Sequence, residues 1–193
     1  MPESFVLLKG WDNFYVITGS SAAGLTGLTF VVIALASDAN MVNLNGLRAF
    51  ITPIVIHFGS VLWVASVMSI PGHTALSLEI SLSVTAAALT LYSAVTIYRM
   101  CANMKQYVPH LQDWIWNASL PLMCCLALLA AGVMVISHAM AAMYLVGVVT
   151  LAMLFIGVHN AWDLAVWITA ERPGLQQRKR VEQEQPPSPD KQS

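Results

Sequence analysis

Charge is what this sequence has least of. Charged side chains make up 10% of its 193 residues, against roughly 25% in an ordinary globular domain. A water-soluble fold of this length cannot cover its surface with so few charges. The net charge of −1 leaves no basic field to attract nucleic acid. Cysteine is equally sparse. Cys124 and Cys125 are adjacent in an apolar run and Cys101 stands in a polar stretch. Neighbouring side chains on a helix diverge by about 100°, so the pair cannot close a disulfide on itself, and three reduced thiols are expected. No CxxC, HExxH, phosphate-binding loop or GxGxxG occurs. Serine and histidine are present, but no spacing joins them into a nucleophile and its base. The chain is therefore read as a non-enzyme.

What is abundant is apolar length. Hydrophobic residues are 57% of the chain and the mean hydropathy is +0.66. A membrane-spanning helix needs about 20 mostly apolar residues. Five runs qualify: Phe14–Ala36, Ile51–Ile70, Thr74–Tyr98, Ala118–Ser137 and Tyr144–Ile168. Between the last two stands only His138-Ala139-Met140-Ala141-Ala142-Met143, yet the combined run is too long for one helix. The expected fold is all-α, a polytopic membrane protein with a bundle of five transmembrane helices in residues 1–170. In residues 171–193, Gln, Pro, Ser, Lys and Glu dominate; such a composition cannot build a core and reads as a disordered cytoplasmic tail.

Basic residues orient the bundle. With the N-terminus outside, the outer side carries only Lys9. The inner side carries Arg48, Arg99, Lys105, Arg172, Arg178, Lys179, Arg180 and Lys191. Positive charge is retained on the cytoplasmic side, so the C-terminus is expected there. Ala34-Leu35-Ala36 resembles a signal-peptidase site, but the preceding run is longer than the roughly 7–15 residues of a signal core, and cleavage would invert the charge asymmetry. Trp11, Trp114, Trp116 and Trp167 fall near span ends, where indoles favour the interface.

Small residues suggest how the helices pack. Gly19, Ala23 and Gly27 recur every four residues in the first span, with Ser20 and Gly24 beside them. A face of this kind lets another backbone approach closely, whether in this chain or in a second copy. The third span carries Ser81, Thr85, Tyr92 and Thr96 on one stripe and Glu79, Ser83 and Thr90 on the next. These hydroxyls are expected to act as interhelical glue.

Ionisable residues in a span are costly and are candidates for function. His57 and His159 each fall roughly 5 Å to the cytoplasmic side of their span midpoints. Asp163 follows His159 one turn on, and Asn160 neighbours both. An inner network of His57, His159, Asn160 and Asp163 facing the bundle interior is expected. Three readings of it stay open: a structural network, a proton or small-ion path, or a metal or haem held at His57 and His159. An outer set, Asp12, His73, Glu79 and His138, lies where charge costs less; Glu79 and His138 are its titratable candidates.

Several stretches resemble a family of small bacterial multi-pass membrane proteins to which no activity is attached. They are Phe14-Tyr15-Val16, Gly19 to Leu28, Phe30 to Leu35, Thr52-Pro53 with His57-Phe58, Asp113-Trp114 with Leu120-Pro121, and Phe155-Ile156-Gly157 with His159-Asn160-Ala161-Trp162-Asp163. The resemblance covers most of residues 14–168. It implies that the His57 and His159–Asp163 segments belong to a shared architecture in a bacterial cytoplasmic (inner) membrane. It implies no cofactor. The expected function is a structural or accessory membrane component whose partners are the bilayer and either a second copy or another membrane protein. A proton or small-ion channel or transporter is the alternative, and a haem-binding protein a further one.

The orientation is directly testable. Reporter fusions at Gly72 and at Tyr107 should read opposite sides of the membrane, outside and cytoplasmic respectively; the same side for both would refute the five-span arrangement.

Overall fold

The computed structural model describes residues 10–38, 44–102 and 114–166. Every regular element among them is helical: α1 (Asp12–Asp38), α2 (Leu44–Met68), α3 (Ala75–Ala102), α4 (Leu120–Met134) and α5 (Ala139–Val166). A π-helical turn, Ile115–Ser119, runs directly into α4. Among the described residues, five helices are long and apolar enough to cross a membrane, the π-turn and α4 counting as one. The chain is a multi-pass membrane protein. A lone helix satisfies its own backbone, which is why lipid selects this element. The proposed tail, Lys9, Lys105 and Trp167 lie outside the described residues.

Two boundaries differ from expectation. The helix α2 begins seven residues before Ile51, so Pro53 sits inside it. Proline is tolerated in membrane helices because neighbouring groups re-satisfy the freed carbonyl. The connector between α4 and α5 is shorter than the sequence suggested. Only Val135 to His138 leave the helix, and Ala142 N–H already bonds His138 O at 3.0 Å. Alanine and methionine are strong helix formers, and the stretch contains no Gly or Pro to stop them.

The α2–α3 turn is closed by Pro71-Gly72, with Gly72 at φ 77°, a value that glycine adopts without a Cβ clash. Ser77 N–H bonds Thr74 Oγ1 at 3.1 Å and Thr74 N–H bonds Ser77 Oγ at 3.0 Å. This is a reciprocal cap on the start of α3. His73 then ties both helices together. Its Nε2 lies 3.0 Å from Val67 O and its Nδ1 2.8 Å from Ser77 Oγ. A ring protonated on Nε2 meets both contacts, donating to the carbonyl and accepting from the hydroxyl.

The helices α2 and α5 form the centre. Half of each apolar window is buried, against 22% for α1 and 17% for α3. The helix α1 packs on α2, α4 on α5, and α3 chiefly on α4. The main core includes Tyr15, Val61, Leu82, Leu128, Met143 and Val146. A smaller cluster of Ile54, Phe58 and Leu164 lies between α1, α2 and α5, with Leu25 against it. At the end of the bundle where α1 begins, Trp11 meets Phe14 and Tyr144 edge to face, at 5.5 and 5.3 Å.

Glycines mark the closest approaches. A Cβ on Gly132 of α4 would lie 2.8 Å from Ser83 Oγ and 2.9 Å from Ser83 N of α3. One on Gly157 of α5 would lie 2.6 Å from the Phe58 ring of α2, and one on Gly147 2.8 Å from Trp11. Lipid tails are as apolar as leucine, so it is this closeness of contact that holds the helices together.

Within one chain, the Gly19–Ala23–Gly27 face makes a close approach only at Gly19. Gly19 is buried, and a Cβ there would meet Ala65 Cβ at 3.0 Å. Ala23 and Gly27 are exposed, and a Cβ on Gly27 would meet nothing within 4 Å. Four residues advance a helix by about 400°, so a strict four-residue repeat drifts by about 40° per step. The buried stripe instead alternates threes and fours through Tyr15, Thr18, Ala22 and Thr29. The glue expected of α3 is also largely internal. Ser81, Thr85, Thr90 and Thr96 donate to carbonyls four residues back in their own helix. Two interhelical contacts do form: Trp63 Nε1–H donates to Thr85 Oγ1 at 3.0 Å, and Ser93 Oγ lies 3.5 Å from Cys125 Sγ.

Gly132→Ala should therefore lower thermal stability in detergent by about 1–3 kcal/mol, since backbone cannot yield to the added methyl. Gly27→Ala should leave stability unchanged. Equal effects in a parallel melting experiment would contradict this helix packing.

Candidate functional site

The inner polar residues divide into two settings on α5. Residues two apart on a helix point about 200° apart, that is, to opposite flanks. Gly157 turns toward Phe58 of α2. His159, two residues on, turns toward the opposite flank, where the π-turn places Trp116. The two rings stack, with centroids 3.6 Å apart and planes 7° from parallel.

The π-turn explains how Trp116 reaches that position. Leu120 N–H bonds Ile115 O, five residues back. Pro121 follows and has no N–H to bond the carbonyl of Asn117. The regular ladder cannot run through this point. The extra residue taken up by the wider turn shifts the facing of the residues before it. A tryptophan expected at the membrane interface thus becomes a half-buried lid on His159.

Asp163 completes this setting. Its Oδ2 lies 3.3 Å from His159 Nδ1. The nitrogen nevertheless has no well-aligned hydrogen bond. The contact is a charge pairing when the imidazole carries a proton, and a loose dipolar one when it does not. The expected i,i+4 pair is thus formed, but its place differs from expectation. The Asp163 side chain is 54% exposed, and that of His159 26%. Asp163 faces out of the bundle rather than into it. Close to the C-terminal end of α5, a carboxylate can reach headgroups and water and needs no interior partner.

The second setting is interior. His57 is 5% exposed and Asn160 9%. His57 Nδ1 and Asn160 Nδ2 have no hydrogen-bond partner among the described residues. Ser60 Oγ–H donates to the His57 carbonyl at 2.7 Å, which engages the backbone and not the ring. The network expected to join His57 to His159 and Asp163 is therefore not formed. The reason is rotational: His159 leaves α5 on the flank that α4 covers, and α2 lies on the other.

This geometry bears on the metal and haem reading. Among the described residues, no three His, Cys, Asp or Glu side chains converge as a ligand set. One face of the His159 ring is covered by Trp116, and His57 approaches α5 from the other flank. The two histidines do not offer axial ligands to one iron.

No family model, no curated protein and no solved structure matches the chain. The reading of the site therefore rests on its own geometry.

The outer set stays apart from both settings. His138 is exposed, with Nδ1 2.9 Å from Ser137 Oγ. Glu79 is half-buried with Oε2 unpartnered among the described residues. Tyr15 OH is likewise buried without a partner. Sequence reasoning missed Trp116 as a site residue. Pro121 was the available signal, since it marks where the helical ladder must break.

Trp116→Ala should lower stability by at least the roughly 0.5–1.5 kcal/mol of an aromatic stack, with lost burial adding to it. Asp163→Asn should cost less than about 1 kcal/mol, as expected of a solvent-accessible pair. Thermal melts of the two variants in one detergent would test the ranking, and the reverse order would refute it.

Proposed function

We propose that this chain is a structural or accessory component of a bacterial cytoplasmic membrane, without a chemical step of its own. The observation that carries the reading is that the interior polar groups do not join into a file across the bundle. A conductor needs a continuous file of exchanging groups or waters. Here most hydroxyls of α3 turn to their own carbonyls, and no hydrogen bond joins His57 to His159 or Asp163. A cavity of about 10 Å³ in the bundle centre is lined by Val61, Leu89, Leu128 and Met153, with Ser60 and Thr150 as its polar edge. That volume is at the lower limit for one water. The eight-to-one division of basic residues supports a cytoplasmic C-terminus. The largely uncovered α1 and α3 leave faces for lipid, a second copy or a partner membrane protein.

A proton or small-ion conductor is the second reading. The buried His57 ring, whose Nδ1 has no partner among the described residues, favours it, because a histidine at membrane depth is a relay component. Haem or metal binding has no comparable support in the geometry.

Reconstitution separates the readings. Vesicles carrying the purified protein should hold an imposed pH gradient as long as empty vesicles do. A gradient that collapses with the protein, and is restored by His57→Phe, would replace the accessory reading with the conducting one.

A further inference from the structure

We infer that His57 and Asn160 form an internal hydration site, binding one water molecule in the seam between α2 and α5. The inference starts from two polar atoms, His57 Nδ1 and Asn160 Nδ2, each in a side chain at least nine-tenths buried and each without a partner among the described residues. Buried groups of this kind are ordinarily satisfied by protein or by ordered water.

Helix geometry aims both side chains at the same place. On α2, Ser60, Val61 and Val64 line the central cavity. His57 precedes them by three, four and seven residues, the spacing of a single helical face. On α5, Val149 and Met153 line the same cavity. Asn160 follows them by eleven and seven residues, again on one face. Both side chains therefore continue the wall of one seam toward the cytoplasmic side.

Their levels also agree. Gly157 lies against the Phe58 ring, which sets the register of these antiparallel helices. From that contact, His57 is one residue toward the cytoplasm and Asn160 three. The difference is about 3 Å at 1.5 Å per residue. The chemistry is complementary to water. Asn160 Nδ2–H donates to the water oxygen. The water donates to His57 Nδ1, with the ring proton on Nε2. His159 is excluded from this seam by its stack on Trp116. Cys125 of α4 is engaged with Ser93. Neither competes for the water. The site gives a deeply buried imidazole a partner with exchangeable protons, whether or not the protein conducts them.

Solid-state NMR on the full-length chain in lipid bilayers tests this, with ¹⁵N-labelled histidine and asparagine and water protons as the probe. His57→Phe assigns the His57 signal among the five histidines. Polarisation from water should reach His57 Nδ1 in the unmodified protein. It should fall several-fold in Asn160→Leu, while the His159 signal holds its position as a check on folding. If Asn160→Leu does not fold, the Asn160 amide in His57→Phe provides the second reading, and it should lose its water contact. A His57 ring that receives no polarisation from water in the unmodified protein would overturn the inference. So would a transfer that Asn160→Leu leaves unchanged, or an Asn160 contact that survives His57→Phe.

Discussion

The close approach of α2 and α5 governs the rest of this molecule. Phe58 is fully buried, and its ring rests where Gly157 has no side chain. In lipid there is no aqueous penalty to drive helices together, so attraction comes from the density of contact. A bulky ring facing a glycine maximises that density at one point. The contact sets the register of the two central helices, and α1 and α4 then pack on the outer flanks of that pair. Because it fixes how α5 is rotated, it also decides which polar residues of α5 enter the bundle and which do not.

The consequence is a sorting of polar groups by rotation more than by depth. His159, Asn160 and Asp163 are close in sequence and similar in depth. Asn160 is buried, His159 sits beneath Trp116, and Asp163 is more than half exposed. The irregular turn before Pro121 makes the middle case possible by bringing an indole over the imidazole. Elsewhere the serine and threonine hydroxyls spend their donors on their own helices. The interior thus holds few polar groups, and no hydrogen bond joins His57 or Asn160 to the His159–Asp163 pair.

Much of the fold was legible because the membrane imposes length and charge rules that act on sequence directly. Five apolar runs, each at least about 20 residues, become five helices since no other open element can cross lipid. Pro71-Gly72 marked the sharp turn that Gly72 makes at positive φ. Helix ends were less legible. Alanine-rich and methionine-rich stretches extend helices past their apolar cores, as at Ala139 to Met143. The i,i+4 pairing of His159 and Asp163 was also readable, being local to one helix.

What the sequence determined by itself, then, is the number of membrane helices, their order and the local pairs on each. Those properties depend on interactions within one helix or between one helix and lipid. Which face of each helix turns inward was decided only by the tertiary structure. Gly27 had every sequence mark of a contact glycine, yet it faces open space, while Gly132, Gly147 and Gly157 make the close approaches. His57 and His159 matched in depth but stand on different flanks of α5. Rotation about a helix axis is set by the sum of contacts with its neighbours, and a drift of about 40° per four-residue step is enough to carry a residue from the interior to lipid.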